Sequence, residues 1–193
     1  MKVVFVDVNG VFVIGHNHVI LDKTVAELKR IHDETGCKIV LSSSWRSRES
    51  KIQQVNSAFR SHGLPVLIGR TGFRYDRAEE ILDFIRVWNQ QKASQSLDSL
   101  RECSTEIQEL QKNHSSMVLL FASSYRKLLT HPVYFSDFLD SVDINEEIES
   151  WVAIDDEPTL KKKIPNNFVM TDSLVGLDKQ KADLVIKILN KLS

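Results

Sequence analysis

At 193 residues and 42% hydrophobic, the chain is long enough for one domain with a sizeable core, which excludes a disordered or fibrous class. A formal net charge of -1, with Lys and Arg scattered, argues against a surface built for obligatory nucleic-acid binding. Two cysteines, Cys37 and Cys103, match no metal-ligand spacing and point to a reducing, cytosol-like compartment.

In chain order, residues 2–8 form a β-branched apolar run that suits a strand buried on both faces. The run is broken by Asp7 and Asn9, so it is not a signal peptide, and no apolar stretch approaches the roughly 20 residues that span a bilayer. No membrane contact is expected. Residues 11–20 read as a short hairpin turning at Gly15-His16-Asn17. Asp22 or Thr24 then caps a helix carrying Val25, Leu28 and Ile31 and ended by Gly36. A second buried strand, Lys38 to Leu41, leads into Ser42-Ser43-Ser44-Trp45-Arg46, and a helix over 48–62 presents Ile52, Val55 and Phe59.

Pro65 to Ile68 predicts a third strand. Asp76 caps a helix with Ala78, Ile81, Leu82, Ile85 and Trp88 inward. Trp151 to Ile154 is a fourth strand ending in Asp155-Asp156, a small strand follows near Phe168, and a last helix buries Ala182, Val185, Ile186 and Leu189. This alternation predicts an α/β fold, a three-layer Rossmann-like parallel sheet with helices on both faces. Residues 89–147 interrupt the rhythm. They read as a helical insertion within a single domain spanning 1–193, with further helical patches around 125–129 and 135–142.

Ligands of parallel sheets bind at the carboxyl ends of the strands. Three strand ends here carry polar groups: Asp7 with Asn9-Gly10, Ser42-Ser43, and Asp155-Asp156. Carboxylates converging on one sheet edge repel one another unless a cation neutralises them. Mg²⁺ suits such an all-oxygen site, and a carboxylate held there can attack phosphorus. Each piece has a plainer reading. Asn9-Gly10 between apolar runs is a hairpin-turn signal, and a Ser triplet after a strand is commonly a loop or a cap. The three together, each after a strand, point to the acidic site.

The same segments resemble the haloacid dehalogenase (HAD) superfamily of phosphatases. VVFVDVNGVF is similar to its first motif, IVLSSSWR to its second, RAEEIL to its third and WVAIDDEP to its fourth, over residues 1–88 and 151–193. The resemblance implies Asp7 as nucleophile and Mg²⁺ ligand and the Asn9 backbone carbonyl as a further ligand. It implies Asp156 at the metal with Asp155 beside it, and Ser42, or else Ser43, on the phosphoryl oxygens. Arg77 takes the place of the third-motif Lys, with Arg46 and Lys161 as alternative phosphate-facing cations.

The family's phosphatases carry an Asp at the position of Asn9, where it protonates the leaving group and then activates water. An amide does neither. An engineered Asp→Asn change, a substitute acid such as His16 or His18, and a catalytically inactive binder of phosphorylated ligands remain alternative explanations. The short hairpin leaves no room for a large cap, and the resemblance to open-site members implies a phosphorylated macromolecule as substrate. A phosphoprotein, with phosphotyrosine as one form, is the first expectation; a nucleic-acid end phosphate is the second, since SSSWR also resembles HAD domains associated with RNA repair.

Overall fold

The computed structural model describes residues 1–15, 19–74, 76–102 and 146–191. Five strands, β1 (Lys2–Val6), β2 (Lys38–Leu41), β3 (Gly69–Arg70), β4 (Ser150–Asp155) and β5 (Phe168–Met170), form one sheet in the order β3-β2-β1-β4-β5. All four pairings are parallel; Val6 lies opposite Leu41 on one side and Ile154 on the other. The helices are α1 (Asp22–Thr35), α2 (Glu49–Ser61), α3 (Arg77–Glu102), a short α4 (Leu160–Lys163) and α5 (Lys179–Asn190).

Strand alternation sorts the core into two halves. Val4, Val6, Ile39, Leu41, Val152 and Ile154 face one way, onto α1, α2 and α5 through residues such as Leu28, Phe59 and Val185. Val3, Phe5, Val40 and Ala153 face the other way, onto Ile81, Phe84 and Trp88 of α3 and Leu160 of α4. The fold is therefore the three-layer Rossmann-like α/β sheet expected. The helices after β1 and β2 lie on one face and the helix after β3 on the other. The direction of winding thus reverses between β1 and β4, and the crevice at their carboxyl ends is the topological switch point.

Several local expectations are corrected. Residues 65–68 are not a strand: Leu67 and Ile68 are buried, but ladder pairing begins at Gly69 opposite Val40. Pro65 has no N–H to donate, and the Leu67 N–H bonds the Asn56 side chain instead. Neither Asp22 nor Thr24 caps α1. Its N-cap is Leu21, Asp22 lies in the first turn, and the Thr24 hydroxyl donates to the Leu21 carbonyl at 2.7 Å. Gly36 does end the helix, with φ at 68°.

On α3, Leu82 is 46% exposed while Phe84 is buried beside Ile81 and Trp88. At about 100° per residue, Leu82 falls roughly a quarter-turn off the apolar stripe. A 3-10 turn, Ser44–Ser47, precedes α2. Residues 8–13 form a tight loop in which the N–H groups of Val11, Phe12 and Val13 all donate to the Val8 carbonyl. Single bridges tie Val13 to Asn9 and to Ile20, in place of a regular hairpin ladder. The insertion expected from residue 89 begins as an unbroken continuation of α3 to Glu102. The patches at 125–129 and 135–142, and the residues His16 and His18, lie outside the described residues. Among the described residues, no helix is long and apolar enough to cross a membrane.

Candidate active site

Because β1 and β4 are adjacent and parallel with Val6 opposite Ile154, the residues that follow them, Asp7 and Asp155-Asp156, emerge side by side at the carboxyl edge. Carboxylate oxygens of Asp7, Asp155 and Asp156 lie within 4.8 Å of one another, the first two residues buried and the third partly so. Arg77, first residue of α3, lies against this edge. One guanidinium nitrogen donates to Asp7 Oδ1 at 2.9 Å and to Asp155 Oδ2 at 2.5 Å. Asp76 fixes the helix start by accepting the Glu79 N–H at 3.2 Å, and Lys163 of α4 donates to its other oxygen at 2.7 Å.

The electrostatics follow from this packing. Burial pushes the Asp7 carboxyl above its ordinary range, opposed by the Arg77 charge and by a hydrogen bond from the Ser43 hydroxyl. Burial also raises Asp155, to about 6, with the Asp7 charge adding to the shift and Arg77 opposing it. For Arg77, burial would lower the pKa, but the two carboxylates outweigh it and hold the guanidinium protonated. Two carboxylates and one cation leave net negative charge at the edge. An all-oxygen donor set of three carboxylates fits a hard divalent cation such as Mg²⁺.

The first-motif loop supports that fit. Gly10 has φ of 72°, and a Cβ there would overlap the Asp156 carboxylate, so glycine makes room for Asp156. The bonds that shape the loop run from the Gly10 N–H to the Val13 carbonyl and from the Val13 N–H to the Val8 carbonyl. Neither uses the Asn9 carbonyl, which the family resemblance assigns to the metal. Asn9 itself is exposed.

The two serines divide. Ser42 continues the β2 register, its N–H bonded to the Val6 carbonyl, and is buried. Ser43 is the residue whose hydroxyl reaches Asp7, while its Oγ accepts the Trp45 N–H at 3.3 Å. Of the three cations weighed from sequence, Arg77 is the one that touches the cluster. Arg46 is not a free phosphate-facing cation: it is buried and donates to Glu80 Oε2 at 2.7 Å and to the Gly72 carbonyl at 3.0 Å. Lys161 is exposed on α4.

Sequence reasoning missed Glu80. Its second oxygen accepts the Arg74 N–H at 2.7 Å, so one carboxylate ties the 3-10 turn after β2 to the loop before α3. The Arg46–Glu80 pair thereby holds the segments bearing Ser43 and Arg77 together. Only the placement of Glu80 one turn into the helix that opens at Arg77 hinted at this.

A family model described as the HAD domain in Swiss Army Knife RNA repair proteins matches residues 3–118, a span that contains Asp7, Ser43 and Arg77 but ends before Asp155. No curated protein and no solved structure matches the chain significantly.

Proposed function

This chain belongs to the family of HAD domains found in Swiss Army Knife RNA repair proteins, and we propose from that premise that it is a Mg²⁺-dependent phosphate-monoester hydrolase acting through Asp7 on a phosphorylated nucleic-acid end. The observation that carries the reading is the convergence of Asp7, Asp155 and Asp156 within 4.8 Å, with Arg77 against two of them. The family description favours a nucleic-acid end over the phosphoprotein expected first from sequence. Near-neutral overall charge fits engagement of a terminal phosphate rather than of a long backbone.

In this reading Asp7 attacks phosphorus. The bond from phosphorus to the leaving oxygen breaks, and a phospho-aspartate forms; water then attacks that phosphorus and frees Asp7 with inorganic phosphate. Arg77 draws the phosphoryl group by its charge and fork of N–H donors, and the Ser43 hydroxyl, already on Asp7, orients the nucleophile. The carboxylates of Asp7, Asp155 and Asp156 would hold Mg²⁺, which when bound supplies charge neutralisation for the developing oxyanions.

Asn9 sets the rate. Its amide has no proton to give the leaving oxygen and no basic site to take one from water. Turnover by this chain is accordingly low and Asn9→Asp raises it by about 10²–10⁴-fold, the span of a positioned acid–base group. The test measures hydrolysis of p-nitrophenyl phosphate, an alkyl phosphate, an end-phosphorylated oligonucleotide and a phosphotyrosyl peptide by both variants, with Asp7→Asn as blank. The alkyl ester and the oligonucleotide should gain more than the nitrophenyl ester, whose leaving group needs little protonation. Equal rates in both variants would remove Asn9 from the argument. The same amide favours a second reading, a phospho-ligand binding module, which Mg²⁺-dependent phosphate binding without turnover in either variant would establish.

A further inference from the structure

Beside the acidic cluster lies a cavity of about 250 Å³ lined by Ser44, Arg46, Phe73, Arg74, Arg77 and Glu157, among others. Arg77 belongs both to this wall and to the cluster, so the cavity opens next to the place where a phosphoryl group meets Asp7. A second cavity of about 320 Å³ shares Arg46 and Phe73. Phe73 is 53% exposed, and the Arg46 guanidinium lies over its ring at 4.3 Å from the centroid. A single exposed phenylalanine is unremarkable on a protein surface. One held against an arginine at the rim of a phosphate site is a platform.

The charges of the wall say what the platform receives. Arg46 is paired with Glu80 and Arg74 with Asp83, and Asp76 and Glu157 add two further carboxylates to the lining. Positive charge is compensated here, so the cavity neither tracks a polyanionic backbone nor draws an acidic peptide. It suits a flat, uncharged group with polar edges attached to the phosphate. Arg46 supplies a further reason. Its side chain is 4% exposed, yet its Nε–H has no hydrogen-bond partner among the described residues, which leaves a buried donor at a wall common to both cavities.

We propose that Phe73, backed by Arg46, is the stacking platform for the base of the nucleotide that carries the terminal phosphate. The inference rests on the reading of the neighbouring cluster as a phosphate-monoester site and assigns that substrate its base-binding subsite. Nucleobases stack on exposed aromatic rings irrespective of sequence, and removing such a ring typically weakens binding by roughly 5- to 150-fold.

The experiment uses the full chain with Mg²⁺ and fluorescent hexaribonucleotides phosphorylated at the 5′ or the 3′ end. Each is made with a terminal adenosine and with an abasic terminal ribose, and affinity is read by anisotropy so that slow turnover does not matter. The base should improve affinity at one end or both by roughly 5- to 150-fold. Phe73→Ala should erase the difference, and Phe73→Trp should retain it. The salt dependence should be shallow, as for about one phosphate contact. A base preference unchanged in Phe73→Ala, no base preference, or no binding of any of the oligonucleotides would overturn the subsite. Protection of the chain against thermal unfolding by inorganic phosphate with Mg²⁺ reports separately on the phosphate site. A subsite that fails while that protection persists leaves the hydrolase reading standing.

Discussion

Gly10 and Asp156 are packed so closely that a methyl group on Gly10 would lie 2.8 Å from the Asp156 Cβ and overlap its carboxylate. The contact joins the loop after β1 to the end of β4, the two segments that carry the acidic cluster. Gly10→Ala should therefore fail twice. The left-handed backbone costs about 1–2 kcal/mol with a Cβ present, and the displaced Asp156 no longer completes the donor set. Melting curves with and without Mg²⁺ check both: a lower Tm in each, and a Mg²⁺-induced rise largely lost, as it should be in Asp156→Ala.

Arg77 is the counter-charge of the cluster when no cation is bound, donating to Asp7 and Asp155 from one nitrogen. Removing it leaves two buried carboxylates facing each other. Arg77→Ala should lose about 3 kcal/mol of stability in EDTA, the low end for stripping one partner from a buried ion pair. Mg²⁺ should then raise the Tm by more than it does in the parent chain, because the cation takes over the whole neutralisation. An equal Mg²⁺-induced shift in both proteins would contradict this.

Glu80 lies 34 positions from Arg46 in sequence and 2.7 Å from it in space, both side chains buried. Glu80→Ala should cost about 3–5 kcal/mol by leaving the guanidinium uncompensated. Glu80→Gln, which keeps acceptor and shape, should cost less. Urea unfolding measures both. Since the pair also holds the Ser43 and Arg77 segments together, phosphate affinity should fall with stability.

Cys37 is buried in the core, and burial pushes its thiol from an ordinary 9.0 up to about 11. A raised folded-state pKa stabilises the neutral form. The contribution is present in full below pH 9 and is lost as pH rises toward about 11, because the unfolded thiol ionises first. In a Cys103→Ser background, Cys37 should resist a thiol-specific reagent at pH 8 and react only on unfolding. Stability measured by denaturant should fall between pH 9 and pH 11 by more than in the same protein with Cys37→Ala.

The sheet was legible because its strands are short, doubly buried and β-branched, and because each carboxylate of the cluster stands just after such a run. The parallel rule placed Asp7, Asp155 and Asp156 on one edge of the sheet, while the adjacency of β1 and β4 that brings them together is a matter of strand order. What the letters hid were choices between near-equivalent partners. Pro65 to Ile68 carries a burial signal but not a pairing signal, so the strand starts at Gly69. Ser42 and Ser43 are the same residue type one step apart, and strand register, which sets Ser42 beside Asp7, does not foretell that the Ser43 hydroxyl makes the bond, because β2 ends at Leu41 and Ser43 already opens the 3-10 turn. Leu82 and Phe84 are both apolar, and the helix phase alone decides which is buried. Glu80 was invisible for another reason: its partner lies on another element, and no local pattern encodes a contact across 34 residues.

The strand order has a consequence for synthesis. β1 lies at the middle of the sheet, yet its neighbour β4 is made last but one, from Ser150 onward. While the chain is emerging, one flank of β1 has its N–H and C=O groups unpaired, a template for association with other chains. The same late strand brings Asp155 and Asp156. A nascent chain that ends before residue 150 is thus expected to be both sticky and silent toward Mg²⁺. Closing that flank and completing the acidic cluster are one event.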